Sequence, residues 1–91
     1  MIRIAELEFD DYNEEHLAEH GIVPSEALQL LGNMFTVRRN KRSGAGERQL
    51  IGLTDGGRCL TLILKPTAVE GRWRPITGWA STQPERRALN V

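Results

Sequence analysis

The spacing of apolar residues changes from helical to strand-like at Gly32. Between residues 10 and 32 the apolar residues follow helical spacing, and after Gly32 they recur at the two-residue period of strands. The strands after Gly32 follow one another through short turns, so they are expected to pair antiparallel. This pattern predicts an α+β fold in the order β-α-α-β-β-β-β-α, with the helices packed on one face of the sheet and the other face open.

Glycine, proline and capping residues set the expected element limits. A first strand is predicted over residues 2–9, a helix from Asp10 or Asp11 to about Glu19, and a second helix from Pro24 or Ser25 to Gly32. Strands follow over residues 34–39, 49–54, 58–65 and 73–79, with a basic hairpin tip at residues 40–46, and Thr82 opens a last helix. The strand over residues 58–65 is expected to be central. Pro75 predicts an edge position or a bulge, because proline cannot donate to a strand ladder.

The length and composition indicate one ordinary globular domain. The chain has 91 residues, of which 40% are hydrophobic and 26% charged, so residues 1–91 are expected to form a single domain. No apolar run approaches the roughly 20 residues that cross a bilayer, and no apolar leader follows Met1. The single cysteine, Cys59, lies in an apolar run and is expected to be a strand residue. These features predict a cytoplasmic protein.

Charge is distributed unevenly between the two parts of the chain. Residues 1–32 carry eight acidic side chains against Arg3, a net charge of −7, and residues 33–91 carry eleven basic against four acidic ones, a net charge of +7. This asymmetry suggests either a surface that binds a polyanion or an acidic element folded over a basic one. An evenly solvated surface of the folded chain is the third interpretation.

Several short motifs carry a resemblance to a known family. The stretch from Asn13 to Ala27 reads NEEHLAEHGIVPSEA and is similar to "N-x-x-H-L-x-x-H-G-V-x-x-x-E" of the BrnT family of bacterial toxins. Other matching segments are Glu47-Arg48, Gly57-Arg58-Cys59-Leu60, Arg72-Trp73-Arg74-Pro75-Ile76-Thr77 and Glu85-Arg86-Arg87. The resemblance covers nearly the whole chain and implies a small RelE-like ribonuclease fold.

The resemblance also implies an activity and partners. It implies the toxin of a type II toxin–antitoxin system that cleaves RNA as an endoribonuclease, without metal or cofactor, and that is neutralised by a ribbon-helix-helix antitoxin. Homo-oligomers and toxin–antitoxin hetero-oligomers are both compatible with it. One departure separates two interpretations: the family strand continues "S/T-A-R", whereas here Trp79 occupies the place of that arginine. The alternative to the enzyme is therefore a catalytically inactive toxin-like module that binds a protein or nucleic acid.

RNA cleavage without metal requires a base for the 2′-hydroxyl, an acid for the 5′-oxygen and cations for the phosphorane. Glu47 or His20 is a candidate base, and arginine suits the stabilising role because its fork matches phosphate oxygens. The candidate catalytic residues are His20, Glu47, Arg48 and Arg74, and the candidate RNA-binding residues are Arg58, Lys65, Arg72 and Trp79. For each basic residue taken singly, a solvated surface charge is the alternative.

Two further patterns leave alternatives open. His16 and His20 share a helix face, which is half of a metal-binding pattern, but no third His or adjacent Cys completes it, so no metal site is predicted. His16 is expected to be a half-buried packing residue, and His20 either ends its helix or faces the sheet. Trp73 and Trp79 share one side of their strand unless Pro75 breaks the alternation, and each is a core residue, a stacking platform or a partner anchor.

Overall fold

A computed structural model describes residues 2–40 and 47–91 as a five-stranded sheet with three helices. The elements are β1 (Glu6–Leu7), α1 (Asp11–Glu19), α2 (Pro24–Gly32), β2 (Phe35–Arg39), β3 (Arg48–Leu53), β4 (Cys59–Pro66), β5 (Arg72–Ala80) and α3 (Gln83–Ala88). The predicted α+β class and element order are confirmed. Of the predicted hairpin tip at residues 40–46, only Asn40 lies within the described residues.

The helices begin at the residues that the sequence predicts. Asp10 caps α1 through its carboxylate, which accepts a hydrogen bond from the Asn13 amide, and the Asn13 side chain accepts one from the Asp10 amide in return. Gly21 follows α1 with φ +74°, a conformation that glycine adopts without steric cost. Thr82 caps α3 in the same reciprocal way with Glu85.

The strands lie in the order β1-β5-β4-β3-β2, so β4 is central as predicted. Three pairs of neighbouring strands are antiparallel: β2 with β3, β3 with β4, and β4 with β5. β1 is shorter than the predicted strand over residues 2–9, and it pairs parallel with β5, Glu6 opposite Arg72. The sheet is therefore mixed rather than wholly antiparallel, because the chain crosses from one edge to the other between β1 and β2.

A bulge interrupts the pairing of β4 with β5. Ile63 pairs with Thr77 and Leu64 pairs with Pro75, so Ile76 is the extra residue. Of the edge position or bulge that Pro75 predicts, the structure shows the bulge. It reverses the alternation of β5, so that Trp73 and Trp79 lie on opposite faces of the sheet.

The main core lies between the sheet and the first two helices. Its buried residues on the sheet share what we call the helix face, and Leu17, Ile22, Ala27 and Leu30 cover them from α1, α2 and the segment between these helices. The helix-face residues are Leu50, Leu60, Leu62, Leu64 and Trp73. The leucine face of β4 is thus the core face, as its alternation predicts.

The other side of the sheet, which we call the α3 face, corrects one expectation. The sequence predicts that all helices pack on one face, but α3 lies against the opposite one, where Leu89 packs with Ile51 and Cys59. Thr61, on the same side of β4, hydrogen-bonds Glu85 of α3 at 3.0 Å. The α3 face is therefore partly covered. Within the described ranges, no helix has the length and apolar character that crossing a membrane requires.

Candidate functional site

Five of the eight candidate residues lie on the α3 face. Lys65 of β4 is directly opposite Arg74 of β5. Continuing the β3–β4 register by one residue places Glu47 beside Lys65, because Arg48 is opposite Leu64. The Asn40 amide donates to the Glu47 carbonyl at 3.3 Å, which extends the ladder to this point. Glu47, Lys65 and Arg74 thus form one row across the sheet, which we call the end row.

Arg72 and Arg74 alternate with Trp73 and share the α3 face. Both meet carboxylates from the segment between β1 and α1: Arg72 Nε lies 3.5 Å from Glu8 Oε1, and Arg74 Nη1 lies 3.8 Å from Glu8 Oε2. Arg74 Nη1 also donates a hydrogen bond to Asp10 Oδ2. The Arg74 hydrogen bond holds the pKa of Asp10 below its usual value, and the Asn13 amide contributes further. The same bond raises the pKa of Arg74, which keeps this guanidinium charged.

Ion pairs join the acidic part of the sequence, residues 1–32, to the basic part, residues 33–91. Glu26 lies 3.2 Å from Arg58, so the pairs at Arg58, Arg72 and Arg74 all join the acidic segment to the basic one. This supports the interpretation of an acidic element folded over a basic one. Among residues 2–40 and 47–91, neither Arg39 nor Lys65 forms an ion pair. Within the described residues, the end row and the end of β2 thus each carry a cation outside these ion pairs.

Trp79 is held by a buried carboxylate. Its Nε1 donates to Glu85 Oε1 at 3.0 Å, and the same oxygen accepts from Thr61 Oγ1 at 3.0 Å and from the Thr82 amide at 2.8 Å. Burial raises the pKa of Glu85, but the hydrogen bonds from Thr82, Trp79 and Thr61 outweigh it and leave that pKa below its usual value. The side chain at position 79 supplies an oriented indole and no positive charge.

A groove runs over the α3 face between Trp79 and the end of β2. It has a volume of about 700 Å³. The described residues that line it are Arg38, Arg39, Asn40, Gln49, Trp79, Thr82 and Glu85. We call it the Trp79 groove. It combines an aromatic wall at one end with the guanidinium group of Arg38 at the other.

The two histidines lie beside β5. His16 is half-buried, as expected, and its Nε2 lies 3.1 Å from Thr77 Oγ1 on β5. His20 follows α1 as its exposed C-terminal cap, and its ring centroid is 5.4 Å from that of His16. Within the described residues, no group of three His, Cys, Asp or Glu side chains is arranged to hold a metal ion. Of the two expected positions for His20, the structure shows the end of its helix, where its ring contacts that of His16.

Besides His20, two candidate residues lie away from the α3 face. Arg58 Nη1 donates to the Gly21 carbonyl at 3.0 Å and contacts Glu26, so it ties β4 to the start of α2. Arg48 pairs with Leu64 at the end of the helix face, and its Nη1 donates to the Glu47 carbonyl at 3.0 Å. The structure thus separates Arg48 and Arg58 from the end row.

Sequence reasoning missed three side chains of this region. Glu8 and Asp10 bind Arg74 across 66 and 64 positions of the chain, and Glu85 orients Trp79. Asp10 and Glu85 carry a local signal only as capping residues. No pattern in the sequence shows that either also meets a residue of β5.

Comparison with known proteins identifies the fold. No family model and no curated protein matches the sequence. Among solved structures, the crystal structure of the Brucella abortus ribonuclease toxin BrnT matches with a TM-score of 0.59 and 19% sequence identity, covering 91% of this chain and 100% of that one. At this identity the likeness concerns the fold. The chain therefore has a divergent BrnT-like fold, as its sequence motifs predict.

Proposed function

We propose that this chain is the toxin of a bacterial type II toxin–antitoxin pair and that it cleaves RNA on its α3 face without a metal ion. The observation that carries the proposal is the end row, in which Lys65 and Arg74 are direct neighbours across β4 and β5 and Glu47 is next to them. In transfer of a phosphoryl group between oxygens, a carboxylate can act as the base and neighbouring cations can stabilise the charge of the transition state. The likeness to a ribonuclease toxin supports the same reaction class.

Each member of the end row has a role in this proposal. Glu47 takes the proton of the 2′-hydroxyl, and the resulting oxygen attacks the adjacent phosphorus. Arg74 and Lys65 stabilise the charge that develops on the phosphorane oxygens, and Arg74 does so with a guanidinium already oriented by Asp10 and Glu8. His20 takes no step in this scheme, because it lies beside Gly21, whose carbonyl binds Arg58 at the opposite end of β4 from Lys65. The leaving 5′-oxygen takes its proton from water, and Glu47 returns its proton to the solvent.

The remaining candidates bind rather than react. Arg72 lies two residues before Arg74 on the same face, where it extends the positive surface along the RNA backbone. We assign Arg48 and Arg58 no step of the reaction, because one lies at the end of the helix face and the other is tied to α2. A ribbon-helix-helix antitoxin with an acidic extension is the proposed inhibitor, since such a segment complements the charge at Arg39 and Lys65.

A toxin-like module that binds but does not cleave is the second candidate. It is favoured by Trp79, whose indole is fixed on Glu85 and whose position carries no positive charge. Such a protein would keep the basic surface and the partner, and would lack one cation of the reaction. The two candidates differ in a single measurable property, the cleavage of RNA.

Expression of the chain alone in bacteria tests the proposal. Growth arrest with fragmentation of cellular RNA is expected, and the same fragments are expected when purified protein is incubated with RNA in the presence of a chelator. Arg87→Ala serves as a control, because Arg87 is an exposed residue of α3 outside the end row and the groove. Intact RNA and normal growth with soluble, folded protein would reject the enzyme and leave the binding module.

A further inference from the structure

The Trp79 groove is separate from the end row in both position and chemistry. Its aromatic wall is Trp79, and the Arg38 guanidinium lies at the other end. Arg39 also lines that end, but it pairs with Arg48, so its side chain is directed to the helix face. Arg38 donates from Nε and from Nη2 to Gln49 Oε1, at 2.9 and 2.5 Å. This contact holds the Arg38 guanidinium against the sheet without neutralising it. Among the described residues, no carboxylate forms an ion pair with either arginine.

The indole of Trp79 is oriented before any ligand arrives. Its nitrogen edge is bound to Glu85, a residue that is 8% exposed and whose carboxylate oxygen also holds Thr61 and Thr82. A hydrogen bond to an ionised carboxylate is stronger than one between neutral groups. What the indole offers to the groove is therefore its apolar ring surface, in a fixed orientation.

We propose that the Trp79 groove binds one nucleotide of a single-stranded RNA, with the base stacked on Trp79 and the phosphate held by Arg38. This inference rests on the proposed function, because it names how that substrate is held beside the end row. An aromatic platform combined with a basic groove is the usual means of binding single-stranded nucleic acid. Stacking tolerates every base, so the groove confers preference for single strands over duplexes rather than for one sequence.

The composition of the groove favours RNA over an acidic polypeptide. An acidic segment of a protein partner would use Arg38, but its carboxylates gain nothing from an indole ring surface. A nucleotide uses both ends of the groove at once. Glu85 acts here as a positioning residue, since it touches the indole and not the base.

The two tryptophans of the chain allow a direct test. Trp73 is 8% exposed on the helix face, with Nε1 donating to the Arg3 carbonyl at 2.8 Å, so a ligand on the α3 face changes the emission of Trp79 alone. A short 2′-O-methyl oligonucleotide serves as the probe, because it lacks the 2′-hydroxyl that the cleavage reaction uses. Saturable quenching is expected for the wild-type protein and no quenching for Trp79→Phe.

Affinity is measured separately, by anisotropy of the same oligonucleotide carrying a fluorescent label. Trp79→Phe keeps a ring for stacking and is expected to bind nearly as well as the wild type, whereas Trp79→Ala is expected to bind roughly tenfold to hundredfold more weakly. Arg38→Ala is expected to weaken binding and to reduce its salt dependence. Arg87→Ala, outside the groove, is expected to leave affinity unchanged.

Three results would overturn the inference. The first is an unchanged oligonucleotide affinity in folded Trp79→Ala, and the second is no quenching in a wild-type protein that binds the probe. The third is failure of the oligonucleotide to bind while poly-glutamate binds in a manner that depends on Arg38, which would assign the groove to an acidic protein. If the protein cleaves RNA but its affinity for the oligonucleotide does not depend on Trp79, the groove is rejected and the proposed function is retained. If its affinity depends on Trp79 but RNA stays intact, the groove is retained and the proposed ribonuclease function is rejected.

Discussion

The guanidinium of Arg74 is hydrogen-bonded to Asp10, the residue that caps α1. One carboxylate thus has two tasks: its Oδ1 accepts from the Asn13 amide, and its Oδ2 accepts from Arg74. Glu8, two residues earlier, adds a second carboxylate at 3.8 Å. The start of α1 and the candidate cation of β5 therefore depend on each other.

Substitution of Arg74 tests the end row. Arg74→Ala is expected to reduce RNA cleavage by about 100-fold, because it removes one stabilising cation from the transition state. The protein is expected to stay folded, since Arg74 lies on the α3 face and outside both core clusters. Cleavage rates and circular dichroism measured on the same samples check both expectations. Unchanged cleavage by a folded variant would show that the reaction occurs elsewhere.

Substitution of Asp10 separates its two tasks. Asn is also a good N-cap, so Asp10→Asn is expected to keep the cap of α1 while removing the charge that holds Arg74. Asp10→Ala loses both. We expect Asp10→Asn to melt at a higher temperature than Asp10→Ala, with both showing slower RNA cleavage than the wild type. Equal melting temperatures for the two variants would contradict the capping role.

Asn13 is a buried polar residue on which three segments depend. It is 1% exposed, and its Nδ2 donates to the Glu8 and Pro75 carbonyls, each at 2.9 Å. Asn13→Ala leaves both carbonyls without this partner and is expected to destabilise the fold by about 2–4 kcal/mol. Glu14→Ala, at an exposed position of the same helix, is expected to stay within about 0.5 kcal/mol of the wild type. Urea unfolding of the Asn13→Ala and Glu14→Ala variants measures the difference in their free energies of unfolding.

Gly78 of β5 lies in close contact with β4 and with Ile22, which follows α1. A Cβ at this position would lie 2.7 Å from Leu62 Cδ2 and 2.9 Å from the Thr61 carbonyl oxygen. Gly78→Ala is therefore expected to destabilise by about 1–3 kcal/mol through overpacking. Gly32→Ala is the control, since a Cβ there meets nothing within 4 Å and alanine favours the helix by up to about 1 kcal/mol. A Gly78→Ala variant as stable as Gly32→Ala would contradict the close approach.

The pH dependence of stability follows from Asp10 and Glu85. The pKa of each lies below its usual value in the folded state, through hydrogen bonds from Arg74 at Asp10 and from Thr82, Trp79 and Thr61 at Glu85. A carboxyl group that releases its proton more readily when folded stabilises the protein above its unfolded pKa, near 4. That stability is lost as pH falls through the folded pKa.

Glu85→Gln isolates the contribution of Glu85. The wild type is expected to be more stable than Glu85→Gln at pH 7, and the gap is expected to narrow as pH falls below about 4. Unfolding free energies measured between pH 7 and pH 3 provide the test. A gap that stays constant over this range would mean that the Glu85 charge does not contribute.

Local signals explain why the elements were predictable. Asp10, Gly21 and Thr82 act on residues within one turn of themselves, so their effect on a helix end can be read from the sequence. Pro75 predicts its bulge in the same way, because the lost donor belongs to proline itself. These features required no knowledge of the rest of the fold.

The tertiary relationships were not predictable for the opposite reason. The side of the sheet that α3 covers is decided by the direction of the chain after β5, which no alternation pattern records. The pairing of β1 with β5 and the contact of Asp10 with Arg74 join residues more than 60 positions apart. Arg48 was selected with Glu47 as one motif, although neighbours on a strand point to opposite faces.

Because β1 pairs with β5, the proposed site can form only late in the synthesis of the chain. Residues 6 and 7 pair with residues 72 and 73, and Asn13 donates a hydrogen bond to the Pro75 carbonyl. During synthesis, β2, β3 and β4 can pair as they emerge, but the beginning of the chain must wait for β5. Arg74 arrives with that same strand. A ribosome would thus have translated nearly all of these 91 residues before the end row, and any activity it carries, is assembled.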